Sequence, residues 1–133
     1  MKVCSLQFIF GLALFAVVCF GCSKADDSGG GGGGIFIPDL ANTWTNKADA
    51  TNTFFFLVDS AGKKTSTFTG NENPSGGGAQ LHFSGSYTNR SIQFTYDAGS
   101  SKSGKSYTGT VNDSSNVMTL SSSQLGNLVL EKK

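Results

Sequence analysis

Beyond residue 79 the chain alternates. Leu81, Phe83 and Tyr87 fall on one side of an extended backbone, and Gln80, His82, Ser84 and Ser86 fall on the other. Ile92, Phe94 and Tyr96 alternate with Gln93, Thr95 and Asp97. Tyr107 and Val111 alternate with Thr108 and Thr110, and Met118 and Leu120 face away from Thr119. A period of two means a strand with one buried and one wet face, as in antiparallel sheets. From about residue 37 to residue 133 no stretch carries apolar residues at helical spacing. Strand signals recur instead every ten to twelve residues, broken by Gly, Asn, Asp and Ser. They predict eight strands, at about 40–46, 53–59, 63–69, 79–87, 91–97, 105–112, 117–121 and 127–132. The links at 60–62, 88–90 and 113–116 are short, so sequential neighbours run antiparallel as a meander. Eight meandering strands with one buried face close most economically into a small up-and-down barrel, because closure removes the exposed edges. The fold class expected is therefore all-β.

The inward positions are Leu40, Trp44, Phe54, Phe56, Val58, Phe68, Leu81, Phe83, Tyr87, Ile92, Phe94, Tyr96, Tyr107, Val111, Met118, Leu120, Leu128 and Leu130. Most are large, and an eight-stranded barrel is just wide enough for side chains to fill. The expectation is a solid core, with any pocket shallow, at one mouth, near Tyr87, Tyr96 or Tyr107. One strand breaks the rule. Residues 53–58 read Thr-Phe-Phe-Phe-Leu-Val, apolar on both faces, which turns Phe55 and Leu57 outward. Ile35, Phe36 and Ile37 are the expected cover for them; uncovered, the pair would form a contact strip for a partner.

The segment ahead of the domain decides the compartment. After Lys2 comes an apolar run over residues 6–20, too short for a comfortable membrane span and of the size of a signal-peptide core. It ends at Gly21-Cys22, and residues 29–34 are six consecutive glycines, a flexible tether by composition. The three cysteines are Cys4, Cys19 and Cys22, so the domain from residue 37 has no disulfide, no thiolate metal site and no Cys nucleophile. Loss of residues 1–21 removes only Lys2 from the ten basic side chains, leaving nine against nine acids. A net charge near zero argues against a nucleic-acid partner.

Gly21 and Cys22 after an apolar run resemble the lipobox of bacterial lipoproteins, although Cys19 stands where that family usually has an aliphatic residue. The resemblance implies cleavage before Cys22 and a diacylglycerol on its thiol. Lys24, Asp26 and Asp27 resemble the export signal of surface lipoproteins in some Gram-negative bacteria. Residues 1–21 are then the signal peptide, residues 22–36 the lipidated linker and residues 37–133 the barrel, tethered at the outer membrane or cell surface. The barrel's opening, Leu40-Ala41-Asn42-Thr43-Trp44, is similar to the first strand of lipocalin-like and avidin-like (calycin-type) barrels, with Asn42 in place of the usual Gly. Its ending, Asn127-Leu128-Val129-Leu130, looks like their closing strand. A biotin cage of several tryptophans does not carry over, because Trp44 is the only one; it is expected as a plug at the closed end.

Candidate chemistry is sparse. Residues 99–106, Gly-Ser-Ser-Lys-Ser-Gly-Lys-Ser, fit the phosphate-cradle pattern, but that pattern works between a strand and a helix. Residues 107–112 read as another strand, so the expectation is a hairpin loop carrying Lys102 and Lys105, with no nucleotide. His82 is the only histidine and lies on a polar face, a poor metal site. Asp97 and Asp113 look like turn formers. Residues 71–78 read as a long mobile loop, and Asp59-Ser60-Ala61 resembles a bacterial O-glycosylation acceptor. No cofactor, metal site or catalytic constellation is expected. Two function classes remain: a lipid-anchored, non-catalytic binding barrel for a small ligand or glycan, with Tyr87, Tyr96 and Tyr107 as contacts; or an interaction lipoprotein presenting Phe55 and Leu57 to a protein partner.

Overall fold

The computed structural model describes residues 35–133; the signal-peptide, Cys22 and glycine-tether expectations lie outside the described residues. Eight strands form one closed antiparallel barrel in sequence order: β1 (Asn42–Asn46), β2 (Asp49–Val58), β3 (Thr65–Asn73), β4 (Leu81–Thr88), β5 (Ser91–Tyr96), β6 (Ser106–Val111), β7 (Val117–Ser122) and β8 (Gly126–Lys132). Closure is made by β1 against β8, where Trp44 faces Lys132 and Asn46 faces Leu130. No helix occurs among the described residues.

Among the described residues, the buried hydrophobic side chains of the core all belong to the eighteen inward positions, of which only Val58 is partly buried. Phe83 sits at the centre. Its ring lies 4.5 Å from that of Phe94, 5.2 Å from Phe56 and 5.9 Å from Tyr96. Three inward positions carry no side chain, and two of them make room for rings. A Cβ on Gly70 would stand 2.3 Å from the Phe83 ring, and one on Gly85 would stand 2.7 Å from Phe68. On Gly109 it would meet the Thr119 carbonyl oxygen at 2.0 Å. Large and small residues alternate across the interior, as small barrels require.

The two rims close differently. The chain enters across the lower rim, where Pro38 and Leu40 are buried. The Trp44 indole donates to the Leu40 carbonyl at 3.0 Å, and Lys132 donates to the Asp39 carboxylate at 2.6 Å and its carbonyl at 2.9 Å. Trp44 is fully buried and holds this entering segment over the interior. The upper rim carries the β1–β2, β3–β4, β5–β6 and β7–β8 connections, and it is closed by polar side chains described below.

Three expectations are corrected. First, β3 begins at Thr65 and runs to Asn73, so residues 71–73 are strand rather than mobile loop. Asn71 and Glu72 are paired on both sides, Phe55 and Phe54 facing them from β2 and His82 and Leu81 from β4, and Asn73 pairs with Thr53 of β2. Two ladders outweigh a polar composition that looks like a turn. Second, β2 starts four residues early, at Asp49, whose carboxylate takes the Thr51 amide and hydroxyl at 3.0 and 2.6 Å. Third, the expected cover for Phe55 and Leu57 does not form; they are 43% and 61% exposed. Phe36 is drawn aside to lie 5.1 Å under the Arg90 guanidinium, a cation–π contact at the β4–β5 corner, and Ile37 stays on the lower rim beside Val58 and Tyr87.

Candidate functional site

The upper rim holds a buried carboxylate. Continuing the β3 alternation from Phe68 through Gly70 sends Glu72 inward, where it is 1% exposed. An isolated ion at that depth would be strongly disfavoured, so it must be paired. Tyr96, the last residue of β5, donates its hydroxyl to Glu72 Oε2 at 2.5 Å. Lys102 Nζ donates to both Glu72 oxygens at 2.8 Å and lies 5.2 Å from the Tyr96 ring centroid. The ammonium is thus held by a bidentate charge pair and an aromatic face.

Lys102 reaches this position through the turn that resembled a phosphate cradle. Residues 99–106 run into β6, not into a helix. Tyr96 and Lys105 bond through the Tyr96 amide and the Lys105 carbonyl at 3.0 Å, and the Gly104 amide returns to the Tyr96 carbonyl at 3.0 Å. Inside this loop the Ser103 amide reaches the Ser100 carbonyl at 3.1 Å and the Lys105 amide reaches the Lys102 carbonyl at 3.0 Å. Gly99 and Gly104 take φ of +93° and +73°, a left-handed backbone that favours glycine. The glycines that suggested nucleotide chemistry instead bend the hairpin so that Lys102 faces the barrel.

Burial fixes the protonation of the tyrosines here. Tyr96 is pushed far above the ordinary phenol value by desolvation, and the hydrogen bond to Glu72 and its charge add to this. Tyr107, whose ring is 6.4 Å from that of Tyr96, is raised by burial and then by the Glu72 charge. Both remain neutral at physiological pH. Tyr87 does not join them. It is inward on β4 but lies at the lower rim, where its hydroxyl donates to the Lys63 carbonyl at 3.1 Å. The three tyrosines expected near one mouth are therefore split between two.

Outside the Glu72–Lys102 pair lies a cleft of about 450 Å³ between the β3–β4 and β5–β6 connections. Pro74, Gln80, His82, Asp97, Ser100 and Lys102 line it. Its polar groups are already oriented: Gln80 donates to Asn73 Oδ1 at 2.8 Å, His82 Nδ1 lies 2.6 Å from Asn71 Oδ1, and Ser84 donates to Asp97 Oδ1 at 3.1 Å. Asp97 accordingly borders the cleft, and Asp113 pairs with Arg90 at the lower rim. Ser60 of the glycosylation-like triplet is exposed in the β2–β3 turn, its amide bonded to Ser66 Oγ at 3.0 Å. Phe55 and Leu57 lie apart from all of this on the outer wall of β2, facing Asn71 and Thr69 across the β3 ladder.

Sequence reasoning named Tyr96 and Tyr107, which lie at this rim but do not line the cleft, and missed Glu72 and the role of Lys102. The signal for Glu72 was available, because Phe68, Gly70 and Glu72 keep a period of two. Among known proteins, no family model, curated protein or solved structure matches this chain.

Proposed function

We propose that this chain is an exported lipoprotein, anchored in the outer membrane or at the cell surface of a Gram-negative bacterium through a lipid on Cys22. Its barrel acts as a non-catalytic binding module for a small polar ligand or glycan, taken up in the upper-rim cleft. The observation that carries this reading is the cleft of about 450 Å³ set against the buried Glu72–Lys102–Tyr96 group. The interior is occupied by aromatic rings, so a ligand has to be met at an end of the barrel or on its wall. Pre-oriented polar groups beside apolar lining are the usual makings of a small-molecule site. The eight-strand meander with Trp44 in β1 supports the reading of the scaffold as a lipocalin-like or avidin-like barrel.

The test uses the full lipidated chain in nanodiscs, titrated with soluble mono- and oligosaccharides and followed by saturation-transfer NMR. Gln80→Ala and Asp97→Ala should weaken binding at least tenfold. Binding that ignores both changes would place the site elsewhere. Cys22→Ala should abolish lipid labelling; labelling that persists refutes the anchor. The second reading, a docking strip for a protein, is favoured by the missing cover over Phe55 and Leu57. Loss of partner capture in Phe55→Ser/Leu57→Ser with sugar binding intact would favour it.

A further inference from the structure

We propose that Glu72 and Tyr96 form a receptor for a primary ammonium group, that Lys102 occupies it as an internal stand-in, and that an amine-bearing ligand entering from the cleft takes its place. The inference rests on the cleft reading above and names the chemistry of the ligand.

The two halves of the ion pair differ in how firmly they are held. Glu72 is fixed on a strand with ladders to both neighbours, β2 and β4, and is 1% exposed. Lys102 stands on a hairpin turn between two glycines of positive φ, its side chain is 27% exposed and it lines the cleft. The carboxylate is therefore the fixed receptor and the ammonium the exchangeable part. What the receptor offers suits an ammonium ion: a buried anion that accepts two hydrogen bonds, and an aromatic face 5.2 Å away. A neutral ligand would leave the carboxylate uncompensated, and an anionic one would be repelled by it.

A second observation points the same way. Asn52 Oδ1 is buried and has no hydrogen-bond partner among the described residues. Asn52 lies on the inward row of β2, one step towards the upper rim from Phe54, which faces Glu72 across the ladder. A buried acceptor left unused two positions along β2 from the ladder partner of Glu72 is open to an N–H or O–H donor.

A competing internal cation gives a signature that an ordinary contact residue does not. If Lys102 only holds the fold together, its removal weakens or leaves unchanged any amine binding. If it occupies the site, its removal strengthens binding, because the ligand no longer has to displace a tethered competitor. Full-length protein in detergent micelles is titrated with ethylammonium chloride, glucosamine and glucose at constant ionic strength, with sodium chloride as the control. Backbone amide shifts of residues 96–104 give the binding curve. In the wild type both amines should bind weakly and saturably. Lys102→Ala should bind them about tenfold or more tightly, Glu72→Gln should lose them, and Lys105→Ala should match the wild type. If Lys102→Ala does not fold alone, ethylammonium but not sodium should restore folding, through binding to the native state. If neither salt restores it, the wild-type curve decides, together with its loss in Glu72→Gln.

Amine binding that is absent from the wild type and from Lys102→Ala, insensitive to Glu72→Gln, or no tighter without Lys102 overturns the proposal. Glucose and glucosamine binding alike, whatever stands at position 102, would leave the cleft function intact and end the ammonium inference. Ethylammonium binding with both sugars excluded would support the receptor while removing the sugar-binding function.

Discussion

Replacing Phe83 with alanine removes the ring on which the aromatic core converges. Phe83 is fully buried, and five other rings, those of Phe54, Phe56, Phe68, Phe94 and Tyr96, lie with centroids 4.5 to 6.5 Å from its own. Lost transfer of the ring is worth about 2 kcal/mol. The unfilled volume, about 100 Å³ at about 24 cal/mol per Å³, adds about 2 kcal/mol because a closed barrel has no free edge along which to collapse. A total near 4 kcal/mol is a large part of the roughly 5–15 kcal/mol that holds a domain of this size. Urea unfolding followed by Trp44 emission measures it, and the midpoint should fall with little change in slope. A loss below about 1.5 kcal/mol would refute the picture of a filled interior. Gly70 supplies an internal check. In the wild type Gly70→Ala drives a methyl into the Phe83 ring at 2.3 Å and to 2.5 Å from the Phe55 carbonyl oxygen. In the Phe83→Ala background the first clash disappears and the second stays, so the cost of Gly70→Ala should shrink by about 1 kcal/mol without vanishing.

Two further outcomes follow from the rim and the strand crossings. The phenols of Tyr96 and Tyr107 are raised in the folded state, so each stays protonated where its unfolded counterpart ionises. Their contribution to stability is fully present well below the unfolded phenol value of about 10 and is lost as pH rises through and above it; a urea midpoint unchanged between pH 9 and 11 would contradict this. Gly109→Ala, with its methyl 2.0 Å from the Thr119 carbonyl oxygen, should cost at least about 2 kcal/mol. Gly78→Ala, which meets only the Pro74 side chain at 3.7 Å, should cost under about 0.5 kcal/mol, and equal losses in thermal unfolding would undo the distinction.

The barrel was legible because most inward residues are apolar and most outward ones are Ser, Thr, Asn or Gln. In β5 the burial pattern alternates at every residue, as Ile92, Phe94 and Tyr96 require. Periodicity fails where an inward position is not apolar. Gly70, Gly85 and Gly109 face inward yet carry no hydrophobic signal: the first two leave room for the rings of Phe83 and Phe68, and Gly109 lets the β7 backbone approach. Glu72 was hidden by its neighbours: Asn-Glu-Asn followed by Pro and Ser is loop-like in composition, and only pairing to β2 and β4 keeps it in a strand. Lys102 was hidden by a motif. A loop rich in Gly, Ser and Lys fits a phosphate pattern by composition, and which way its lysine points depends on a carboxylate thirty residues away in sequence. The cover expected over Phe55 and Leu57 failed for a related reason, since the path of residues 35–37 is set by Arg90 and the lower rim.

A filled barrel places the burden of function on its ends, and the two ends are closed by different forces. At the lower rim the covalently connected segment 38–40 lies over the interior, with Leu40 buried and Trp44 holding its carbonyl. Opening it would expose apolar surface that a polar ligand cannot replace. At the upper rim the closing groups are a carboxylate, a phenol and an ammonium. Interactions of that kind can be remade with a ligand that supplies the same charge and donors, so exchange there leaves the hydrophobic core untouched. That asymmetry is the reason the proposed binding is assigned to the Glu72 rim rather than to the Trp44 end or the barrel interior.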